Sequence, residues 1–186
     1  MNYYYLVASL PSQQLFAEPP MTPEALAALC VEQLSAADLR ELDAVLAARG
    51  SSAFGARHAG YERELRSCIA QVRAERRRRD AAELAMETGD LGLQQSVRDA
   101  FAAKDPMERE RRLDAMRWRW LEQEAERDAF APAAVFSYAL RLAIGQVWSR
   151  RTADAGRKEL SAQRERMLSG FDRLEFTMDA AAEAGA

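Results

Sequence analysis

The chain of 186 residues is long enough for one compact domain with a sizeable core, or for one domain with a helical extension. It carries 26 basic and 29 acidic residues, a formal net charge of −3, so it lacks the positive excess that nucleic-acid binding requires. The apolar N-terminus has no positive segment, and no apolar stretch reaches the roughly 20 residues of a membrane-spanning helix. We therefore expect a cytoplasmic protein that reaches a membrane only through a partner.

The first 50 residues predict two short helices after an ambiguous start. Residues 1–10 fit a strand or a helix, and a proline-rich loop follows them. Thr22 before Pro23 is typical of a helix N-terminus, with threonine as the N-cap and proline at the first helical position. Ser35 opens a second helix that we expect to end at Gly50.

A long helix is predicted from Tyr61. Apolar residues at i, i+4, i+7, i+8 and i+11 form one stripe that ends at Val72, whereas helix-forming residues continue to Met86. Residues 73–80 are almost wholly charged, so the far half of this helix is expected to project beyond the core. The Gly/Ser-rich residues 50–60 before it are predicted to form a loop.

The second half of the chain predicts four further helices. A short one contains Leu93, Val97 and Phe101, and Asp105 followed by Pro106 marks the start of the next. Pro132 opens a helix that is apolar on several sides and is therefore expected to be central, with Leu140 and Ile144 buried. The last helix contains Leu160, Met167, Leu168, Phe171 and Leu174. We predict an all-α bundle of about six helices, organised as a single domain over residues 1–178 with a frayed tail at 179–186.

No catalytic or metal-binding pattern stands out. His58 is the only histidine and falls in the predicted loop, where we expect it to be exposed. Cys30 and Cys68 are widely separated and are expected to be buried and reduced. The sequence contains no CxxC, HExxH, Walker-type or GxGxxG motif. Carboxylates alternate with arginines at helical spacing, which favours ion-paired surfaces. We predict no enzymatic activity, no cofactor and no metal.

The run of four arginines at positions 76–79 is the most conspicuous local feature. A solvated helix face explains it, and so does a docking surface for an acidic protein, because guanidinium groups pair with carboxylates in bidentate geometry. Contact with nucleic acid or phospholipid is a third alternative, although no aromatic residues are interleaved with the run. We predict a partner-binding face formed by Arg73, Arg76, Arg77 and Arg79. Tryptophans at this spacing are more often core residues, but Trp118 lies off the apolar stripe of its helix and is predicted to anchor a partner.

Three segments of the sequence, residues 3–11, 105–118 and 130–144, together resemble a family of uncharacterised bacterial proteins that are encoded beside the subunits of V-type (archaeal-type) ATPases. Tyr3 to Pro11 resembles the start of that family. Asp105 to Trp118 is similar to its mid-chain pattern, in which asparagine commonly stands where Asp105 does here. Phe130 to Ile144 resembles its late helix. The late pattern is also similar to the all-helical funnel that sits on the membrane rotor ring of V-type ATPases, the component named C, or d in eukaryotes; this chain is far shorter.

The resemblance implies a non-catalytic accessory or central-stalk component of a V-type ATP synthase/ATPase, linking the soluble rotor to the membrane ring in ion or proton transport. Its partners would be stalk or rotor-ring subunits, and it would lie at the inner face of the plasma membrane through that complex. A helical assembly factor or adaptor that binds an ATPase subunit transiently is the alternative. The sequence also leaves a homodimer open.

Overall fold

The computed structural model describes residues 3–77, 90–152, 154 and 156–168. All regular structure over these ranges is helical, which confirms the all-α prediction. The described residues form eight helical segments rather than about six, in part because the ambiguous N-terminus is also a helix. Their bounds are α1 Tyr4–Ser9, α2 Pro23–Gln33, α3 Ala36–Leu46, α4 Ala53–Arg76, α5 Leu91–Ala102, α6 Pro106–Arg127, α7 Pro132–Arg150 and α8, residues 156–168.

Side-chain caps mark the starts of helices α2 to α6, and the sequence predicted three of them. The hydroxyls of Thr22 and Ser35 accept hydrogen bonds from the backbone N–H groups three residues later, at 3.2 and 3.1 Å. The Asp105 carboxylate accepts one from Met107 N at 2.9 Å, before Pro106 at the first position of α6. Each bond satisfies one of the N–H groups that a helix start leaves without an intrahelical partner.

The first of two hydrophobic clusters joins α1, α2 and α3 to α7 and to the adjoining ends of α4 and α6. Its fully buried members include Leu6, Cys30 and Phe136. Tyr3 fastens the N-terminus to this cluster, because its backbone N–H donates to Phe130 O at 2.7 Å and its phenol bonds the Asp38 carboxylate. Two of the segments that carry the family resemblance, residues 3–11 and 130–144, are therefore in contact.

The second cluster lies between α4, α5 and α6, with Leu65, Val97 and Leu113 buried at its centre. Beyond the predicted end of the apolar stripe at Val72, Ala74 is only 5% exposed and Arg76 donates to Phe101 O of α5. The described end of α4, up to Arg76, therefore packs on α5 instead of projecting. The helix ends at Arg76 with Arg77 as C-cap. The predicted continuation to Met86 concerns residues outside the described ranges from position 78 on.

The predicted loop over residues 50–60 is wrong, because α4 begins at Ala53 with Ser52 as its N-cap. A Cβ atom on Gly55 would lie 2.6 Å from the backbone carbon of Gly50, so the glycines permit close packing instead of a loop. The expected end of α3 at Gly50 is also wrong. That helix ends at Leu46, and Ala48, with φ 56°, adopts the left-handed conformation beyond it.

Helix α7 is central, as predicted, but through a different set of residues. Its six consecutive residues from Ala134 to Ala139 are all buried, together with Leu142 and Gly145. Leu140 and Ile144, predicted to be core residues, are only partly buried against the first cluster. The central position of α7 therefore depends mainly on its N-terminal half.

The chain divides into two compact units, Met1–Gln146 and Val147–Ala186. Both hydrophobic clusters belong to the first unit. The second unit includes the end of α7, where Arg151 lies 4.4 Å from the Trp148 ring centroid, and it includes α8. The single-domain arrangement over residues 1–178 stays a prediction, and the tail at 179–186 lies outside the described residues. In the parts of the chain that the structure describes, no helix combines the length and apolar character needed to cross a bilayer.

Candidate functional site

Three arginines surround one buried aromatic ring where α4, α5 and α6 meet. Phe101, 2% exposed, lies on the last turn of α5. The guanidinium carbons of Arg73, Arg76 and Arg109 lie 5.8, 5.4 and 4.9 Å from its ring centroid. Each distance is within the range of a cation–π interaction. We call Arg73, Arg76 and Arg109 the arginine cluster.

The C-terminus of α5 helps to hold these positive charges together. Arg76 donates to the carbonyl oxygen of Phe101, and Arg112 donates to that of Asp99 at 3.0 Å. The last carbonyls of a helix have no intrahelical partner and carry the negative end of its dipole, so they attract cations. The ring and the helix end thus offset the repulsion between three close guanidinium groups.

Carboxylates do not neutralise the arginine cluster within the described part of the chain. None of its three members forms an ion pair there, whereas the neighbouring Arg98 and Arg112 are paired with Glu75 and Glu108 at 3.2 and 3.0 Å. Arg73 and Arg76 are exposed, and the Nε atom of Arg109 is buried without a hydrogen-bond partner. Arg73 and Arg76 thus place two exposed positive charges beside the Phe101 ring.

The structure brings together two of the predicted partner-binding arginines and adds one that sequence reasoning missed. Arg77 follows Arg76 as the exposed C-cap of α4, and Arg79 lies outside the described residues. Arg109 is 33 positions further along the chain and enters the site because α6 folds back beside α5. In the sequence, only the short link at residues 103–105 indicated that α6 folds back beside α5, since short links join neighbouring antiparallel helices.

Trp118 is buried, 5% exposed, so its predicted position at a partner-facing surface is wrong. Its indole N–H donates to Glu122 at 2.8 Å, and the Arg141 guanidinium lies 5.4 Å from the ring. The proline-rich loop covers the Trp118 side chain, because Gln13 and Pro19 line the same small cavity as Trp118. Sequence periodicity describes one buried face of a helix and did not reveal that this loop buries a second face of α6.

Glu124 and His58, two further titratable side chains, are held by contacts within the fold. The Glu124 side chain, 4% exposed, forms ion pairs with Arg57 at 2.6 Å and with Arg127 at 3.0 Å. His58 is not in an exposed loop as predicted. It lies on α4, half-buried between the rings of Phe54 and Trp120, and this burial lowers its pKa. No group of three or more potential metal ligands occurs among the described residues.

Both cysteines are buried and neither forms a disulfide within the described residues, as the sequence predicted, and they belong to different hydrophobic clusters. Burial raises the pKa of Cys30 to about 11, which keeps it in the thiol form at neutral pH. A thiol in that form is a poor nucleophile and a poor metal ligand.

Over the described residues, the fold and the site define an all-helical protein in which three arginines without ion pairs surround one ring at the junction of three helices. Residues 70–167, more than half of the chain, match the family described as "Protein of unknown function (DUF2764)", and the chain belongs to that family. The matched range includes the whole arginine cluster and Phe101. No curated protein and no solved structure matches the chain significantly.

Proposed function

We propose that this chain is a non-catalytic accessory or central-stalk component of a V-type ATP synthase/ATPase, and that it docks through the arginine cluster on an acidic surface of a stalk subunit. The observation that carries the docking is the close placement of three guanidinium groups without ion pairs in the described part of the chain. The choice of an ATPase rests on the resemblance of residues 3–11, 105–118 and 130–144.

Carboxylates on a protein partner suit the cluster for two reasons. Guanidinium groups form bidentate pairs with carboxylates, and two members of the cluster, Arg73 and Arg76, are exposed to such a partner. The cluster is also fixed by the Phe101 ring and the α5 carbonyls, so little side-chain freedom is lost on binding. A stalk component of this kind turns over no substrate and transmits force through its interfaces.

Copurification with the ATPase from detergent-solubilised membranes tests the proposal. We expect Arg73→Glu together with Arg76→Glu, both exposed members of the cluster, to reduce recovery of the complex at least tenfold in moderate salt. Arg40→Glu with Arg63→Glu makes the same change of charge on exposed helix positions outside the cluster and should leave recovery unchanged. Recovery at the wild-type level by the cluster variant, or loss by the control variant, would contradict docking through this site.

The ratio of the chain to the catalytic subunits in the purified complex separates the two roles. A constant stoichiometric ratio supports a stalk component. A substoichiometric ratio that falls as the complex matures supports the alternative, an assembly factor or adaptor. The absence of any ATPase subunit from the wild-type sample would overturn both.

A further inference from the structure

An open apolar groove of about 210 Å³ lies between α2, α3 and α7, entirely within the first unit. Two of its aliphatic side chains are well exposed, Val31 at 64% and Leu46 at 47%. Large apolar side chains gathered along a concave surface mark interaction sites rather than ordinary solvated surface. The aliphatic lining consists mainly of Leu26, Val31, Leu39, Leu42, Leu46 and Leu142.

The chain itself contains an amphipathic helix with the complementary character. On α8, Leu160, Met167 and Leu168 fall at i, i+7 and i+8 and are 68%, 67% and 53% exposed. An apolar stripe of this spacing is the kind that lies in a hydrophobic groove. The stripe on α8 and the two side chains of the groove are thus each 47% exposed or more.

The charges of the two surfaces are also complementary. Residues 23–46, which include α2 and α3, contain five carboxylates and one arginine. Residues 156–168 contain four basic and two acidic side chains. Asp43 lines the groove and is exposed, and within the described residues neither it nor Lys158 of α8 forms an ion pair. Opposite charges at the rim would fix the orientation of a bound helix.

We propose that the groove of one copy binds α8 of a second copy, so that two chains exchange these helices in a symmetric homodimer. The two surfaces on one chain give two identical contacts around a twofold axis, which closes the assembly at the dimer. The dimer contains two helix-in-groove contacts, which together bury twice the area of one. This brings the buried area closer to the roughly 1,200–2,000 Å² that stable interfaces bury. The dimer involves neither the arginine cluster nor an ATPase and is independent of the proposed function.

Sedimentation or light-scattering mass of the full chain over a range of concentrations tests the dimer. Leu46→Glu in the groove and Met167→Glu on α8 should each raise the dimer dissociation constant at least tenfold. Leu91→Glu, which changes a 77% exposed leucine on α5, is the matched control and should leave that constant unchanged. A wild-type chain that stays monomeric at every concentration, or a dimer indifferent to both variants, overturns the proposal.

Crosslinking distinguishes exchange between copies from docking within one chain. A mixture of Leu46→Cys and Met167→Cys proteins, treated with a short bismaleimide, should give a covalent dimer that neither variant gives alone. Cys30 and Cys68, 0% and 1% exposed, leave the introduced thiols as the reactive ones. In the double variant, a crosslink confined to single chains would show that α8 occupies its own groove and would refute the exchange.

Discussion

At the scale of single residues, Ala48 closes the end of α3 in a conformation that normally belongs to glycine. Its N–H donates to Val45 O at 2.9 Å, and Arg49 N donates to Ala44 O at 2.7 Å, which together form a Schellman motif. Ala48→Gly should raise the free energy of unfolding by about 0.5–1 kcal/mol, because relief of left-handed strain exceeds the added entropy of the unfolded chain.

Denaturant titration measures that gain, and Ala47→Gly is the neighbouring control. Ala47 has φ −84°, so glycine there adds unfolded-state entropy and relieves no strain. The control should therefore be neutral or destabilising. A stability gain of equal size at both positions would contradict the assignment of strain to Ala48.

His58 makes stability depend on pH near neutrality. Burial is the main reason that its pKa is lowered in the folded chain, with Arg117 and Arg66 acting in the same direction and Glu62 against it. The unfolded state therefore binds more protons than the folded state below the usual histidine pKa of about 6.5. The stability that this pKa shift contributes is fully present above about pH 6.5. It is lost as the pH falls through the lower pKa that His58 has in the folded chain.

Because His58 is the only histidine, urea unfolding between pH 7.5 and 5 isolates its effect. The wild-type midpoint should fall over this range more than that of His58→Gln. Carboxylates titrate in both proteins and cancel in the comparison. Parallel profiles for the two proteins would show that the ring is as well solvated in the folded chain as in the unfolded one.

At the scale of helices, two glycines of α4 predict opposite effects of the same substitution. A Cβ atom on Gly60 would meet nothing within 4 Å, so Gly60→Ala should stabilise the helix by about 0.5–1 kcal/mol. A Cβ atom on Gly55 would meet the Gly50 backbone at 2.6–2.8 Å, and Gly55→Ala should cost about 1–3 kcal/mol. Thermal unfolding of both variants measures the difference. Stabilisation by both would mean that α3 and α4 do not approach closely at Gly50.

The difference between local contacts and contacts of distant segments explains how much of the fold could be predicted from the sequence. Local signals sufficed for the helix starts at Thr22, Ser35 and Asp105, since an N-cap bonds a backbone group three residues or fewer away. The start of α4 was missed because glycine permits both a loop and a close contact, and only the approach of Gly50 decides between them. The sequence supplied two members of the arginine cluster, but Arg109 and the burial of Trp118 depend on how distant segments pack.

At the scale of the whole first unit, α4 and α6 run through both hydrophobic clusters and hold them together. Phe54 and Leu121 belong to the first cluster, and Leu65 and Leu113 of the same helices belong to the second. Tyr61 of α4 stacks on Trp120 of α6 with ring centroids 5.0 Å apart. The pair between Arg57 and Glu124 joins these helices beside the first cluster. The stability of the unit should therefore be sensitive to this contact.

Arg57→Met should lower the free energy of unfolding by about 1–3 kcal/mol, because it leaves Glu124 buried with only Arg127 as a charged partner. The double variant Arg57→Met, Glu124→Leu should recover much of that loss, since the buried charge is then also removed. Arg98→Met breaks the exposed pair with Glu75 and should cost no more than about 1 kcal/mol. Urea titrations compare the three variants. Equal losses from Arg57→Met and Arg98→Met would show that Glu124 is solvated when Arg57 is absent and that the pair does little to hold α4 to α6.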